Sequence, residues 1–396
     1  MSQIEFAVAW GLVLAWFVAG AIPTLWFVGK SLSRQSDRVA DPREWPFVSI
    51  VVPARDEGAK VEAGLRSLLQ SDYPHFEVIA LDDRSRDDTG AIMDRIAAES
   101  EESQGEQSDR NGLLKVFHIK DLPAGWLGKN HALQVGSQQS RGDWLLFTDG
   151  DVIHKPDTLR RSMKYVLARE IDHLPLYPSI DAHGVFEAAF VACFGLIFTA
   201  GTQPGLVPTA CPWFYSGVGA FNLVRRKAFD RAGTFEPIRL DILDDVKLGK
   251  LLKRTGSRSE VLRSGDRLNI RWQQSAWTCV TGLEKNAFAA AEFSLIKLFW
   301  IVGVTLLIFM GPLIGMLVSH EARPIFAVAF VLSHGVYAMN SVVFGQTVWI
   351  TPLMIPSALA FVFAFLRSAW ITLRQRGVRW RDTFYPLGVL RQNVYR

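Results

Sequence analysis

A short apolar run ends in two aspartates that are separated by a single glycine. Trp144 to Phe147 has the composition of a buried β-strand, and Asp149 and Asp151 follow it almost at once. Two carboxylates this close repel each other unless something positive lies between them. Hard divalent cations take oxygen ligands, and a bound cation neutralises a diphosphate. Such triplets also occur in ordinary surface turns, but the buried strand before this one favours a metal-assisted phosphate site.

Two further acidic pairs occupy comparable positions. Asp82 and Asp83 end a second predicted strand, and Asp244 and Asp245 begin a predicted amphipathic helix. Acidic pairs are also common in the first turn of a helix, where the helix dipole stabilises them. The functional alternative for Asp244 and Asp245 is that one of them acts as a general base on an attacking hydroxyl group.

Strand-like and helix-like segments alternate around these acids, and residues 46–284 are predicted to form one catalytic domain. This alternation predicts an α/β sheet, in which ligands bind beyond the carboxyl ends of the strands. The stretch Glu99 to Gly112 has five acids and no large apolar residue, so it is predicted to be a mobile surface loop. The predicted strands are 47–52, 76–81, 114–119 and 144–147, and the predicted helices are 62–70, 88–98 and 129–139.

The composition indicates a catalytic domain combined with a membrane part. Apolar residues make up 49% of the 396 residues, while charged residues still make up 21%. The formal net charge of +4 is small for this length, which argues against nucleic acid as a partner. The three cysteines are widely spaced, match no metal-ligand spacing and fit a reducing compartment.

Apolar runs near both ends of the chain are long enough to cross a bilayer. The run within residues 1–30 is predicted to be an uncleaved transmembrane anchor rather than a signal peptide, because no basic residue precedes it. Basic residues follow it, so the positive-inside rule predicts a multi-pass protein of the cell membrane with a cytoplasmic catalytic domain. Three more runs lie within the predicted membrane region 295–366. The predicted cytoplasmic tail 367–396 carries seven arginines against one acid.

The predicted membrane topology contains a conflict. Three C-terminal crossings that start in the cytoplasm end outside, whereas the basic tail favours the cytoplasm. The sequence is therefore compatible with two or three C-terminal transmembrane helices, depending on whether one run is re-entrant or interfacial. A fifth apolar run, 185–206, is predicted to be an interfacial or buried helix, because a crossing there would separate Asp151 from Asp245.

Four ordered motifs between Pro46 and Trp272 resemble those of the family 2 glycosyltransferases. The segment Val48 to Glu57 is similar to the opening strand and P-A-R-N-E motif of that family, with Asp56 in place of the usual asparagine. The three acidic motifs are similar, in chain order, to its nucleotide-contacting D-D-x-S-x-D-x-T, its metal-binding D-x-D and its E-D or D-D pair. The resemblance implies the nucleotide-sugar-binding type A glycosyltransferase fold, a Rossmann-like mixed sheet of the α/β class.

Two further segments narrow the resemblance. Gly125 to Asn130 resembles the G-W-x-G-K segment of the ceramide-glucosyltransferase-like branch and the hopanoid- or carotenoid-associated branch. There the lysine, Lys129 in this chain, is expected to meet the phosphates of the sugar nucleotide. Arg271-Trp272 resembles the end of the Q/R-x-x-R-W motif of the acceptor side. Leu268 stands where that motif has its polar first residue, which weakens the case for processive polymerisation.

The resemblance implies an inverting transfer from a nucleotide-sugar, expected to be UDP-linked, to a lipid acceptor in the bilayer. Asp245 is the expected base, and a divalent metal, Mg²⁺ or Mn²⁺, is expected to stabilise the departing nucleoside diphosphate. The alternatives are a processive polysaccharide synthase and a catalytically silent membrane scaffold. The implied nucleotide-sugar-binding residues are Pro53, Glu57, Asp82, Asp83, Lys129 and Asp149, the metal ligands are Asp151 and Asp149, and the acceptor side comprises Asp244, Arg271 and Trp272.

Overall fold

The computed structural model describes residues 2–104, 113–273 and 275–395, which divide into two compact units. The sheet unit comprises Lys30–Ser179, Leu206–Arg271 and the C-terminal residues from Tyr395. The helical unit comprises the N-terminal residues up to Gly29, Ile180–Gly205 and Trp272–Val394. Residues 180–205 and 272–284, which lie inside the predicted catalytic domain 46–284, thus belong to the helical unit.

Seven of the strands in the described residues form one sheet, in the order β3-β2-β1-β4-β8-β6-β9. The first four of these run parallel, and β8 pairs antiparallel with both β4 and β6. The strands are β1 (Val48–Ala54), β2 (Phe76–Asp83), β3 (Leu113–Ile119), β4 (Trp144–Phe147), β5 (Val152–His154), β6 (His173–Tyr177), β7 (Ser179–Ile180), β8 (Asn222–Arg225), β9 (Leu262–Arg263), β10 (Leu268–Ile270), β11 (Gly377–Trp380) and β12 (Thr383–Pro386).

Helices cover the rest of the regular structure. A π-helical turn, Trp16–Ala21, joins the first two, and a 3₁₀ segment, Val348–Leu353, precedes α15. The α-helices are α1 (Ser2–Ala15), α2 (Ile22–Val28), α3 (Leu32–Ser36), α4 (Gly58–Leu69), α5 (Thr89–Gln104), α6 (Gly128–Gln139), α7 (Thr158–Arg169), α8 (Val185–Thr202), α9 (Arg226–Ala232), α10 (Asp244–Arg254), α11 (Ala276–Gly282), α12 (Ala287–Ala290), α13 (Leu295–Val318), α14 (Arg323–Val343), α15 (Met354–Gln375) and α16 (Leu387–Gln392).

The sheet has a hydrophobic core on each of its two faces. Every residue of β1 and β2 is buried, as expected for parallel strands that are covered on both sides. Successive side chains alternate between the faces, so that Ile50 and Val78 join one buried cluster and Val51 and Ile79 join the other. This two-sided burial explains why the predicted strands are continuous apolar runs, and their existence is confirmed.

The predicted loop 99–112 is wrong over its first part. Helix α5 continues to Gln104, because glutamate, alanine and glutamine residues favour the helix and Glu99 pairs with both Arg66 and Arg95. Residues 105–112 lie outside the described residues.

Five segments of the described chain are long and apolar enough to cross a membrane by length and composition. They coincide with the five apolar runs predicted from the sequence. They are Gln3–Val28, Val185–Leu206, Leu295–Val318, Arg323–Val343 and Val348–Gln375.

Candidate active site

The carboxyl ends of β1, β2 and β4 meet at one edge of the sheet. Register pairs Ala54 of β1 with Asp82 of β2, and Val51 of β1 with Phe147 of β4. Strand order reverses between β1 and β4, and such a switch point opens a ligand crevice beyond the strand ends. The acidic motifs that follow β2 and β4 are therefore brought to one edge, as the strand pattern predicted.

Lys129 connects the predicted donor residues with the predicted acceptor residues. It lies in the first turn of α6, with its Nζ 2.8 Å from Asp149 Oδ1 and 3.3 Å from Asp244 Oδ2. Burial opposes the charge of the ammonium, but the carboxylates of Asp149, Asp244 and Asp245 outweigh burial and hold the pKa of Lys129 well above its ordinary value. Lys129, Asp149, Asp244 and Asp245 line a single pocket.

Asp245 is held by backbone amides on both of its carboxylate oxygens. Oδ2 accepts a 2.7 Å hydrogen bond from the N–H of Gly219, and Oδ1 accepts one of 2.7 Å from the N–H of Val246. Burial, followed by the negative charge of Asp244, raises the pKa of Asp245 to about 6, although Lys129 opposes the shift. A carboxylate in this range is ionised at neutral pH and still basic enough to accept a proton.

Gly219 allows the carboxylates of Asp149 and Asp245 to approach each other. A Cβ atom at position 219 would lie 2.7 Å from Asp149 Oδ2 and 3.5 Å from Asp245 Oδ2. The Gly219 carbonyl also accepts a hydrogen bond from the N–H of Asp149. A side chain at this position would therefore push apart the two acids that line the pocket.

With Asp245 as the predicted base, its pKa sets the expected acid limb of the pH–rate profile. Because a base works only when it is deprotonated, kcat/KM should rise with pH through about 6 and level off above that value. Asp244→Asn removes a neighbouring negative charge that raises this pKa, so the acid limb should move to lower pH. Steady-state rates between pH 4.5 and 8 measure the shift. A limb that stays in place or moves to higher pH would show that another group controls it.

Asp151, the predicted metal ligand, faces a lysine that the sequence analysis missed. Lys60 Nζ lies 3.2 Å from Asp151 Oδ2, and both side chains are partly exposed. Lys60 is in the first turn of α4, and this helix packs closely on the aspartate triplet because Gly64 leaves room for the carbonyl of Gly150. The sequence signal that could have identified Lys60 is its position directly after β1, at the carboxyl edge of the sheet.

The oxygen atoms at this edge fit a divalent cation that is bound together with a diphosphate. Within the described ranges, no group of three or more His, Cys, Asp or Glu side chains could hold a metal by itself. Mg²⁺ is commonly held by only one or two carboxylates plus substrate phosphates. The partly exposed carboxylates of Asp149 and Asp151 are such donors, and the nearby ammonium groups of Lys129 and Lys60 show that the position already attracts positive charge.

The predicted nucleotide-contacting aspartates have separate partners. Asp82 accepts a hydrogen bond from the N–H of Ser85, and its Oδ2 lies 2.9 Å from His118 Nδ1. The hydrogen bond to Asp82 raises the pKa of His118, and burial opposes this shift. Asp83 is bound at 2.7 and 3.0 Å by the guanidinium of Arg84. His118 is a second residue that the sequence analysis missed, because its link to Asp82 depends on the pairing of β2 with β3.

Pro53 and Glu57 lie at and beyond the end of β1. Pro53 pairs with Leu81 in the sheet, and the N–H of Glu57 donates a 2.8 Å hydrogen bond to Thr89 Oγ1. A Cβ atom at Gly150 would be 3.1 Å from Glu57 Oε2, which places the glutamate beside the aspartate triplet. Both residues are therefore at the edge where the sequence predicted them.

The predicted acceptor pair is divided between the two units. Arg271 directly follows β10. The last residue of this strand, Ile270, pairs with Val152, so Arg271 is next in register to Asp151, the end of the aspartate triplet. Trp272 belongs to the helical unit, where its ring centroid lies 4.7 Å from that of Phe194 in α8.

Helix α10, which carries Asp244 and Asp245, is held by the C-terminal part of the chain. Lys247 Nζ donates a 2.6 Å hydrogen bond to the carbonyl of Tyr395. The N–H of Tyr395 donates to Asp241 Oδ2 at 2.9 Å, just before the helix begins. Lys247 and Asp241 are both buried, so these bonds stabilise the start of the helix.

Comparison with known proteins finds a family model that matches part of the region that carries this site. Residues 49–233 match the sequence model described as glycosyl transferase family 2. The part of this region that lies in the sheet unit includes β1, β2, β4 and the aspartate triplet, and we call that part the family 2 domain below.

Curated relatives match only part of their own length. Glycosyltransferase AglD of Haloferax volcanii is 32% identical over 130 residues, which are 32% of this chain and 18% of AglD. The 4,4'-diaponeurosporenoate glycosyltransferase of Staphylococcus haemolyticus is 30% identical over 107 residues, which are 26% of this chain and 24% of that protein. The first relatives found are each covered over less than half of their length.

A solved structure supports the fold. The mannosyltransferase PcManGT from Pyrobaculum calidifontis, solved in complex with GDP-Man and Mn²⁺, superposes with a TM-score of 0.50 at 17% identity. The alignment covers 93% of this chain and 98% of PcManGT. The predicted mixed α/β sheet of the type A glycosyltransferase fold is confirmed.

Proposed function

We propose that the chain is an inverting, metal-dependent glycosyltransferase that moves a sugar from a nucleotide-sugar to a membrane lipid. The observation that carries this proposal is the Lys129 ammonium, which lies between the donor-side carboxylate of Asp149 and the helix that presents Asp245. A cation at this place suits the diphosphate of a sugar nucleotide, and the base lies across the same pocket.

The donor is proposed to lie along the carboxyl edge of the sheet. Asp82, Asp83 and Glu57 at the ends of β1 and β2 are proposed to contact the nucleoside, and Lys129 is proposed to contact the phosphates. A UDP-linked sugar is proposed. The relatives that match over part of the chain carry glycosyltransferase names, which supports the transfer of a sugar.

Asp245 is proposed to take the proton from the acceptor hydroxyl while that oxygen attacks the anomeric carbon. The carbon–oxygen bond to the diphosphate breaks as the new glycosidic bond forms, so one displacement inverts the configuration. The two backbone amides on Asp245 keep its carboxylate in one orientation for this transfer. Asp244 and Arg271 are proposed to lie on the acceptor side.

A divalent cation, Mg²⁺ or Mn²⁺, held by Asp151 and Asp149 would supply positive charge to the departing diphosphate. Lys129 adds a second positive charge from the protein itself. Its three carboxylate neighbours keep it protonated, so its charge is present over the whole working pH range.

The acceptor is proposed to be a lipid of the bilayer, and the protein a multi-pass protein of the cell membrane with a cytoplasmic family 2 domain. Five apolar segments support a membrane location, and one relative is named for transfer to diaponeurosporenoate. An acceptor with a long hydrocarbon part stays in the membrane, so an enzyme that sits there meets it directly.

Membranes that contain the protein, incubated with isotope-labelled UDP-sugars and then extracted for lipids, test this proposal. The expected product is a lipid that gains one labelled sugar by mass spectrometry, with none in membranes that carry Asp245→Asn. GDP-sugars are tested in parallel. Label that enters only water-soluble acceptors would overturn the lipid acceptor, long sugar chains would favour the processive synthase, and a total lack of transfer would favour the silent scaffold.

A further inference from the structure

We infer that only three of the five apolar segments cross the bilayer. Helix α8, and the segment from Val348 through α15, instead enter the leaflet on the side of the family 2 domain and do not cross. The lipids of that leaflet are the binding partner of these two segments. The inference rests on the membrane location proposed above. It extends that proposal by stating which apolar segments cross the bilayer and which remain in one leaflet.

The ends of the three crossing segments are defined by contacts inside the helical unit. Ser319 Oγ donates a 2.6 Å hydrogen bond to Glu5 Oε2, so the start of α1 lies beside the turn between α13 and α14. We call this the outer end. The ring of Phe27, at the end of α2, lies 5.7 Å from the ring of Phe344, just after α14. We call this the inner end, because the family 2 domain follows α2 directly.

The segment from Val348 begins at half depth. Its residues Ile350 and Met354 belong to a buried cluster that extends from Tyr337 to Trp16 and Phe309, and the last two lie near the middle of the first crossing segment and of α13. Met354 also precedes Arg367 by 13 residues in α15, which is about 20 Å of helix. At 1.5 Å per residue, Phe309 is about 21 Å from the inner end of the 24-residue helix α13. The chain thus returns from Phe344 at the inner end into the middle of the bundle.

Helix α15 leaves the bundle at the inner end. Arg367 Nε lies 2.7 Å from Glu284 Oε1, and Ser368 Oγ accepts a 3.0 Å hydrogen bond from the N–H of Phe288. Glu284 and Phe288 precede α13, which starts at the inner end. Helix α15 starts at half depth and then passes the inner end. It has therefore returned to the inner side, from which the segment after Phe344 entered the bundle.

Both flanks of α8 also lie at the inner end. Before the helix, the carbonyl of Ile180 accepts a 2.7 Å hydrogen bond from Gln346 Nε2, just beyond α14. After it, a Cβ atom at Gly205 would lie 3.1 Å from the indole ring of Trp26 in α2. A helix with both flanks at one end of a bundle does not cross it.

The middle of α8 packs across α14 below the inner end. Tyr337 donates its hydroxyl proton to the carbonyl of Ala189 at 2.7 Å, and Asn340 Nδ2 donates to the carbonyl of Ala192 at 3.1 Å. Tyr337 is six residues before the end of α14, which is about 9 Å along the helix axis. Helix α8 therefore lies within one leaflet.

The exposed surface of α15 is suited to acyl chains. Leu359, Phe363, Leu366 and Trp370 recur at helical spacing on one face, and Trp370 is 68% exposed. Helices α13 and α14 also carry exposed large apolar side chains. Trp370 lies close to the inner end, where tryptophan is favoured at the membrane interface.

This arrangement removes the conflict in the predicted topology. Three crossings place the family 2 domain and the arginine-rich tail on the same side, which is the side that the positive-inside rule selects for both. Because α8 does not cross, the aspartate triplet and Asp245 also share one side.

Single cysteines in the full-length protein, in a background with Cys193, Cys211 and Cys279 changed to serine, test the inference. Sealed right-side-out and inverted vesicles are treated with a membrane-impermeant maleimide, and labelling is read by mass shift. All five positions are exposed side chains. The variants are Lys227→Cys in the family 2 domain, His183→Cys and Ala210→Cys on either side of α8, Glu321→Cys in the turn between α13 and α14, and Arg379→Cys in the tail.

The expected result is labelling of Lys227→Cys, His183→Cys, Ala210→Cys and Arg379→Cys from one side, and of Glu321→Cys from the other. Labelling of Arg379→Cys from the side of Glu321→Cys would overturn the assignment of α15, and opposite sides for His183→Cys and Ala210→Cys would overturn that of α8. Glu321→Cys and Lys227→Cys on one side would overturn the crossings. Labelling does not depend on catalysis, so it separates a wrong topology from a wrong enzymatic function.

Discussion

Asp245→Asn is expected to lower kcat by about 10²- to 10⁴-fold, which is the usual contribution of a general base. The amide has nearly the shape of the carboxylate but cannot accept a proton from the acceptor hydroxyl. Donor binding should change little, because Lys129 and Asp149 retain their contact. The measurement is the release of nucleoside diphosphate at saturating donor, together with a donor-binding titration.

Loss of folding must be separated from loss of the base in this variant. In the carboxylate, one oxygen accepts from Gly219 and the other from Val246, whereas an asparagine has only one oxygen and can keep only one of these two bonds. A loss of about 1–3 kcal/mol in the free energy of unfolding is therefore expected. Asp121→Asn, at an exposed aspartate of the same unit, is the matched control. A folded Asp245→Asn enzyme with unchanged kcat would remove Asp245 from the mechanism.

Asp151→Asn is expected to lower kcat by about 10²- to 10³-fold, the usual effect of losing one charge-stabilising group at a transition state. The neutral amide is a poorer ligand for a hard cation, so the cation that would neutralise the departing diphosphate should bind less tightly. Mn²⁺ binding, followed by electron paramagnetic resonance with UDP present, should weaken in parallel. This second readout does not require turnover.

The ion pair with Lys60 provides a control for the same carboxylate. Lys60→Gln removes the cation near Asp151 but leaves the ligand in place, so Mn²⁺ binding should be kept or become tighter. Exposed ion pairs contribute about 0.2–1 kcal/mol, which corresponds to at most a fewfold change in affinity. Equal Mn²⁺ binding by the wild type and Asp151→Asn would contradict the assignment of Asp151 as a metal ligand.

The order and type of the elements around the site could be predicted from the sequence. Continuous apolar runs indicated parallel strands, and each of two such runs ended in acidic residues. Since the carboxyl ends of parallel strands share one edge of a sheet, Asp82 and Asp149 had to lie at the same edge whatever the details of packing. The extent of α5 was mispredicted because its acidic end matches the composition of a loop.

The charge partners of the site depended on tertiary structure. Lys60 meets Asp151 across 91 residues of sequence, and His118 meets Asp82 across 36. Local composition carries no information about such distances, because helix packing on the sheet and the register of β2 with β3 bring these groups together. The same holds for Lys129, which the resemblance assigned to the phosphates of the sugar nucleotide, because its two carboxylate partners, Asp149 and Asp244, are far from it in the sequence.

Five apolar segments, a sheet with acids at its strand ends and motifs that resemble those of the family 2 glycosyltransferases could be recognised from the sequence alone. Hydropathy and strand periodicity are local properties, so they can be recognised without a fold. The three-dimensional fold was needed to learn which carboxylates share Lys129, and that Trp272 belongs to a different unit from Arg271. These features depend on contacts between residues far apart in the chain. For Lys129, the free energy of burying the charge depends on which opposite charges the fold brings beside it.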